Sequence, residues 1–208
     1  MQITHTDDGL LVERIPRFDF AHAYRTIHRG FDDVLQHPGD GWIERAIRLP
    51  GSGPRAKPRP IIVRLSGGAG RLEITVSKGK WDPDRLQSYV TDWIDLKRNL
   101  AALYRVGGQD PKLAPLLKRY PKLRLIWVPD VFDTLCWAVI GQQINLAFAQ
   151  KLKRRLAEAY GESISLRGRR YWLFPTPAKL AGATDRELKG MQFSRQKSDY
   201  LRGLGRLF

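Results

Sequence analysis

The sequence has little cysteine, no long apolar segment and few histidines. Cys136 is the only cysteine among 208 residues, which excludes an intrachain disulfide framework and a cysteine-rich metal or iron–sulfur site. No segment approaches the roughly 20 apolar residues of a membrane span, and the N-terminus lacks the pattern of a signal peptide. The four histidines lie in the first half without metal-ligand spacing, so we expect no metal and no other cofactor. We expect a soluble protein of the cytoplasm.

Acidic side chains are scarce in the second half. Lys and Arg number 36 against 21 Asp and Glu, which gives a formal net charge of +15. Residues 1–100 carry a net charge of +3, whereas residues 101–208 carry 20 basic and 8 acidic side chains, a net charge of +12. The basic residues are interleaved with apolar ones, which indicates a folded basic surface. Such a surface favours an anionic partner such as nucleic acid or an acidic membrane; the alternative is that it serves solubility alone.

Hydrophobic periodicity predicts an α+β protein. Runs rich in Ile, Val and Leu predict an antiparallel sheet of about four strands, over residues 10–15, 42–49, 59–65 and 71–77. A helix is expected over 18–35. From Asp82 onward the pattern is almost entirely helical, with one helix over 81–100 and a short one around 113–117. Gly107-Gly108 marks a candidate domain boundary.

Two further helices are expected on either side of the segment Gly141-Gln-Gln-Ile144. Asp130 is a suitable N-cap for the first, with Asp133 adding negative charge to its first turn, and Gly141 suits a left-handed C-terminal position. Asn145 is a suitable N-cap for the second, which should stop at Gly161. Shorter helices are expected over 178–183, 185–190 and 194–204.

The pair Gln142-Gln143 is unusual for so short a turn, where Gly, Asn, Asp or Ser is typical. Long uncharged amides are suited to reaching outward, because each offers donors and an acceptor to a partner. The following helix carries four cations on its polar side and directs its N-terminal amides to the turn, which favours phosphate: Lys151, Lys153, Arg154 and Arg155. The alternatives are a solvated turn and a solvated basic helix face.

Longer motifs carry a family resemblance. FDTLCWAVIGQQIN over 132–145, Phe174-Pro-Thr-Pro177 and MQFSRQKS over 191–198 resemble the alkylation-repair DNA glycosylases of the 3-methyladenine glycosylase II (AlkA) type, within the helix-hairpin-helix superfamily. The resemblance implies an N-terminal TATA-binding-protein-like α+β domain over 1–105, and over 106–208 the first part of an all-α glycosylase domain that is incomplete here. It also implies a bacterial, nucleoid-associated DNA repair hydrolase that removes alkylated purines from duplex DNA by base flipping.

The same resemblance implies where DNA binds. The residue matching Gln143 fills the gap left by the extruded nucleotide in the minor groove, and Gln142 supports it. We extend the predicted DNA-binding set to the rest of the turn and its basic surroundings: Ile144, Asn145, Lys151, Arg195 and Lys197. Trp137 and Phe148 are expected to belong to the core rather than to a base pocket.

A catalytic carboxylate is not found. The family implies an aspartate after a Gly-rich hairpin, and neither is present in this sequence, so we name no catalytic residue and expect residues 1–208 alone to be inactive. The remaining candidates are better explained as helix-terminal or solvated residues: Asp130, Asp133, Asp185, Glu187 and Asp199. Helix faces that the missing C-terminal helices would cover should be exposed, which predicts self-association or partner binding. The rival functions are a non-catalytic lesion-sensing DNA-binding protein and a basic RNA-binding or interaction module.

Overall fold

Strands rich in β-branched residues build the first half of the chain. The computed structural model describes residues 1–28, 34–51 and 57–208. Four strands agree with those that the sequence predicts: β2 (Gly9–Glu13), β4 (Trp42–Leu49), β5 (Arg59–Gly68) and β6 (Arg71–Lys78). β5 and β6 form a hairpin in which Leu65 lies opposite Ile74, so the apolar side chains of both strands share one face. The predicted antiparallel sheet is confirmed.

Two edge strands extend this sheet to six strands. They are β1 (Gln2–Thr6) and β3 (Gln36–Gly39), and the strand order is β1-β2-β6-β5-β4-β3, antiparallel throughout. The sequence does not predict them because both are short and polar, and β3 contains Pro38. Proline is tolerated at an edge, where one side of the strand needs no ladder hydrogen bonds.

One face of the sheet is covered by two helices, α1 (Phe20–Ile27) and α2 (Pro83–Trp93). Both are shorter than the sequence predicts. Residues 34 and 35 form a turn rather than helix, and residues 29–33 lie outside the described ranges. The expected helix over 81–100 is broken after Trp93, because Asp95 adopts a left-handed backbone with φ of +57°. A separate helix, α3 (Ala101–Gly107), follows.

The second half is mainly helical. Its helices are α4 (Ala114–Arg119), α5 (Val131–Gly141), α6 (Leu146–Tyr160), α7 (Pro177–Ala181), α8 (Asp185–Gly190) and α9 (Arg195–Leu207). Cys136, Leu152, Leu156 and Leu201 are fully buried where α5, α6 and α9 meet. Within the described ranges, no helix is both long enough and apolar enough to span a membrane.

A small hairpin, β7 (Ser163–Leu166) and β8 (Arg169–Trp172), interrupts the helices, and the helical pattern does not predict it. The hairpin and the residue after it cover the other face of the large sheet, where Tyr171 and Leu173 pack on Ala46 and Ile62. The phenol of Tyr171 donates to the carboxylate of Glu44 in β4. The mixed helix and sheet content confirms the α+β class.

Several polar contacts join the two halves. Arg48 donates to the carbonyl of Phe174 at 2.7 Å, and Lys78 donates to the carbonyl of Ser165 at 2.7 Å. The predicted boundary between residues 105 and 106 falls inside α3 (Ala101–Gly107). The division into domains over 1–105 and 106–208 stays a prediction.

Candidate nucleic-acid interface

Two capped helices hold the Gln142-Gln143 turn in place. Asp130 caps α5, with its Oδ1 accepting from the backbone N–H of Asp133 at 2.8 Å. Asn145 caps α6, with its Oδ1 accepting from the backbone N–H of Phe148 at 2.8 Å. Both caps agree with the sequence prediction. Because the helices end and begin so close together, only residues 142–145 connect them.

Gln143 itself adopts the left-handed backbone conformation, with φ of +58°. The sequence prediction had Gly141 in that role and is wrong: Gly141 closes α5 and is not among the residues with positive φ. Gln142 has an extended backbone, with φ of −62° and ψ of 131°, and both glutamine side chains are exposed. A non-glycine residue in the left-handed region is uncommon and costs free energy, so the surrounding structure must hold it there.

Ile144 anchors the turn from below. Its side chain is half-buried and packs against the core formed by α5, α6 and α9. Asn145 is exposed but its side chain is engaged in capping α6. The turn is therefore fixed at its base by Ile144 and Asn145, while the two glutamine amides project from it.

Lys197 in α9 holds the end of α5. Its Nζ donates to the carbonyl oxygen of Ile140 at 2.8 Å and to that of Gln142 at 2.8 Å. Burial lowers the pKa of the Lys197 ammonium from its ordinary value. The sequence prediction places Lys197 among the DNA-binding residues, and that role stays a prediction. The contact with the carbonyls of Ile140 and Gln142 could not be read from the sequence, since Lys197 follows them by 57 and 55 positions.

The basic side of α6 is smaller than the sequence predicts. Lys151 is exposed, as a phosphate contact requires, but Lys153 is buried and pairs with Asp133 at 3.1 Å. Arg155 donates to the carbonyl of Met191 at 2.9 Å, and Arg154 lies 3.7 Å from the carboxylate of Glu158. The interpretation of Lys153 as part of a solvent-facing basic surface is thus wrong, because it neutralises a buried carboxylate.

Arg195 adds a second exposed cation on the α9 side. It is the first residue of α9, directly after the N-cap Ser194, and its side chain is exposed. α9 packs against α5, so Arg195 and Lys197 belong to the helix that flanks the turn. Its part in DNA binding, like that of Gln142, Gln143 and Lys151, stays a prediction.

Every Asp and Glu side chain of residues 101–208 has a structural partner. Four of them pair with arginine or lysine in ion pairs that the sequence does not predict: Asp133 with Lys153, Glu162 with Arg48, and both Asp185 and Asp199 with Arg202. The others cap backbone amides or pair within a helix: Asp110, Asp130, Glu158 and Glu187. The structural roles expected of Asp130, Asp185 and Glu187 at helix starts agree with these contacts.

The aromatic residues near the turn belong to the core, as expected. Trp137 and Phe148 are half-buried and pack against the α5, α6 and α9 core. Trp137 also borders a cavity of about 130 Å³ between the two halves, which Trp93, Arg45 and Lys153 line as well. In the described ranges, no three His, Cys, Asp or Glu side chains come together as metal ligands.

Similarity to known proteins agrees with this geometry. Residues 136–208 match the family model of the HhH-GPD superfamily of base excision DNA repair proteins, and this stretch contains the turn, α6 and α9. The match covers 73 of the 208 residues, about a third of the chain. We refer to residues 136–208 as the HhH-GPD region.

Two curated relatives match a longer stretch of the chain than the family model does. A DNA-3-methyladenine glycosylase of Bacillus subtilis (strain 168) is 39% identical over 128 residues, which are 62% of this chain and 42% of the relative. DNA-3-methyladenine glycosylase 2 of Escherichia coli (strain K12) is 36% identical over 81 residues, which are 39% of this chain and 28% of the relative. The chain thus spans less than half of these relatives, and the AlkA-type resemblance seen in the sequence is confirmed.

Solved structures share the fold of the HhH-GPD region and of the sheet before it. A 3-methyladenine DNA-glycosylase from Archaeoglobus fulgidus superposes with a TM-score of 0.74 at 20% identity, covering 99% of this chain and 66% of that one. An 8-oxoguanine glycosylase/lyase of Clostridium acetobutylicum in complex with double-stranded DNA superposes with a TM-score of 0.74 at 17% identity, covering 100% of this chain and 65% of that one. At these identities the likeness concerns the fold alone.

Proposed function

We propose that this chain supplies the DNA-penetrating part of an AlkA-type glycosylase of base excision repair. The whole activity would be hydrolysis of the N-glycosidic bond of alkylated purines, of the 3-methyladenine class, in duplex DNA. The observation that carries the proposal is the Gln142-Gln143 turn, which is exposed at its tip and held at its base by two capped helices. The names of the curated relatives support the substrate class.

The proposed role of Gln143 follows from its position. Extruding a nucleotide costs a few kcal/mol of lost stacking and pairing, and a side chain that enters the vacated space offsets part of that cost. Gln143 carries an amide with two donors and an acceptor, so it would hydrogen-bond to the unpaired base rather than stack on it. Gln142 lies beside it and can reach the neighbouring base edges in the minor groove, which offers mainly acceptors.

Contacts with DNA phosphates would fix the position of the turn along the duplex. Lys151 on α6 and Arg195 on α9 are exposed cations on the two helices that flank α5. Asn145 caps one of the backbone amides in the first turn of α6. The remaining amides of that turn would also be available to a DNA phosphate at the helix N-terminus. These groups carry no sequence preference, as expected for a protein that searches duplex DNA for damage.

The chemical step needs a carboxylate that residues 101–208 do not offer in a free state, since each of theirs already serves a cap or an ion pair. We therefore propose that a protein consisting of residues 1–208 alone binds DNA and does not release the base. Release of 3-methyladenine from alkylated duplex DNA by that protein would contradict this part of the proposal and would call for a search among the carboxylates of the first half.

Self-association is a further part of the proposal. Val131 and Leu135 lie one turn apart on α5 and are 60% and 40% exposed, and Phe208, 57% exposed, reaches the ring of Phe132 in the same helix. An apolar patch of this kind favours association. Sedimentation should show a concentration-dependent dimer that the double substitution Val131→Ser and Leu135→Ser abolishes; an unchanged mass across the concentration range would contradict it.

The experiment that tests DNA penetration compares two glutamines. Affinity is measured for a duplex that contains a tetrahydrofuran abasic-site analogue, for the same duplex undamaged, and for RNA of equal length. Gln143→Ala should weaken binding to the abasic duplex by roughly tenfold, the size of a lost hydrogen-bonding contact. Gln109→Ala, at an exposed glutamine after α3, is the matched control and should change nothing. Equal affinity for all three nucleic acids, or no effect of Gln143→Ala, would refute the proposal.

A further inference from the structure

The end of α5 is completed by a side chain from α9. The backbone N–H of Gln142 makes only a long contact with the carbonyl of Val139, at 3.4 Å, so the last turn of the helix is weakly closed by its own backbone. Lys197 Nζ lies 2.8 Å from the carbonyl oxygens of both Ile140 and Gln142. A cation at this position also interacts favourably with the negative end of the helix dipole.

One of these two carbonyls belongs to the turn itself. The oxygen of Gln142 lies in the peptide plane that joins Gln142 to Gln143, and this plane rotates when ψ of Gln142 or φ of Gln143 changes. Anchoring that oxygen therefore restricts φ of Gln143, which stands at +58°. Without the anchor, Gln143 could relax toward a negative φ, which is the favoured region for any residue other than glycine.

We propose that Lys197 is a positioning residue that holds Gln143 in its left-handed, DNA-penetrating conformation through the carbonyls of Ile140 and Gln142. The proposal rests on the DNA-penetrating function proposed above and adds a residue to it. Of the three N–H donors of Lys197, one is committed to the last turn of α5 and one to the turn itself, and its side chain is half-buried. Lys197 thus acts on DNA through Gln143 rather than through a phosphate.

The first test needs no DNA. Hydrogen–deuterium exchange of the free protein is followed over residues 140–148 in wild type, Lys197→Met and Lys189→Met. Lys189 is an exposed lysine on α8 and serves as the matched control, since both substitutions remove one positive charge. Loss of a hydrogen bond to a charged group corresponds to a roughly tenfold change in an equilibrium, so exchange in the turn should rise about tenfold in Lys197→Met. No rise in the turn would overturn the proposal.

The second test separates positioning from phosphate binding. Affinity for the abasic duplex is measured as a function of salt concentration. A lost phosphate contact reduces the slope of log affinity against log salt by about 0.9, whereas a lost positioning contact weakens binding and leaves the slope unchanged. We expect Lys197→Met to bind about tenfold more weakly with the wild-type slope, and Lys151→Met to reduce the slope. A reduced slope in Lys197→Met without faster exchange would overturn the proposal.

Conservative variants keep the tests decisive. Lys197→Arg retains the cation and several donors and should restore slow exchange and most of the affinity. If Lys197→Met does not fold, Lys197→Gln, which keeps two amide donors without charge, takes its place, and fast exchange is again the expected result. If wild type shows no preference for the abasic duplex, the proposed function fails, whereas the exchange result on the free protein still decides the role of Lys197.

Discussion

Gln143 stores backbone strain, and replacing it by glycine should reveal how much. A residue with a β-carbon in the left-handed region costs about 1–2 kcal/mol, which glycine avoids. Glycine loses about 0.5–1 kcal/mol through the greater freedom of the unfolded chain. Because the Gln143 side chain is exposed and its φ is +58°, we expect Gln143→Gly to raise the free energy of unfolding, by about 0.5–1 kcal/mol.

Gln142→Gly is the matched control. Gln142 is equally exposed but has a φ of −62°, so glycine relieves no strain there and should lower the free energy of unfolding by about 0.5–1 kcal/mol. Both variants are measured by urea unfolding followed by circular dichroism, with the denaturant slope checked for constancy. In the same preparations, Gln143→Gly should bind the abasic duplex more weakly than wild type. Equal destabilisation by the two substitutions would refute the reasoning.

Three further predictions concern buried ionisable groups. Asp133→Ala leaves the buried ammonium of Lys153 without its carboxylate and should lower the free energy of unfolding by about 3–5 kcal/mol in urea titrations. Adding Lys153→Met should recover part of this loss. A loss below about 1 kcal/mol would speak against a buried pair. Burial raises the pKa of Glu44, but hydrogen bonds from its neighbours outweigh burial and hold that pKa below its ordinary value. The Glu44 carboxylate therefore contributes its full stabilisation at a pH above its pKa in the unfolded chain. That stabilisation disappears as the pH falls through the pKa of Glu44 in the folded protein. Wild type should therefore lose more stability than Glu44→Gln between about pH 5 and pH 3, and parallel pH profiles would contradict this. Burial raises the pKa of the Cys136 thiol to about 12, so a thiol reagent should label the protein at neutral pH only in urea, and stoichiometric labelling of the folded protein would show that the site is open.

The local signals in the sequence are reliable where a single residue decides the geometry. Asp130 and Asn145 are recognisable as caps because short polar side chains at helix starts bond to nearby amides whatever the rest of the fold does. Gly141 misled the prediction, since glycine is the usual left-handed residue and glutamine is not. The left-handed position falls on Gln143 instead, where Ile144 and Lys197 hold the backbone through tertiary contacts.

Contacts over long sequence distances explain the other differences. Lys153 belongs to the polar face of α6 by periodicity, but Asp133 on the neighbouring helix makes its burial favourable. The β7–β8 hairpin has only four residues in each strand, too few to stand out against the helical pattern around it. The segment over 132–145, by contrast, is contiguous in the sequence, so the turn could be singled out from the sequence although its supporting contacts could not.

The hairpin that carries Tyr171 has a mechanical consequence. The hairpin covers the face of the sheet opposite α1 and α2, where Tyr171 and Leu173 are buried and the phenol of Tyr171 donates a hydrogen bond to Glu44. Swinging the helices away from the strands would uncover Ile62 and strip that carboxylate of a donor. The position of the glutamine turn relative to the sheet is therefore preset, and under the proposed function the nucleic acid would take up the distortion when the two meet.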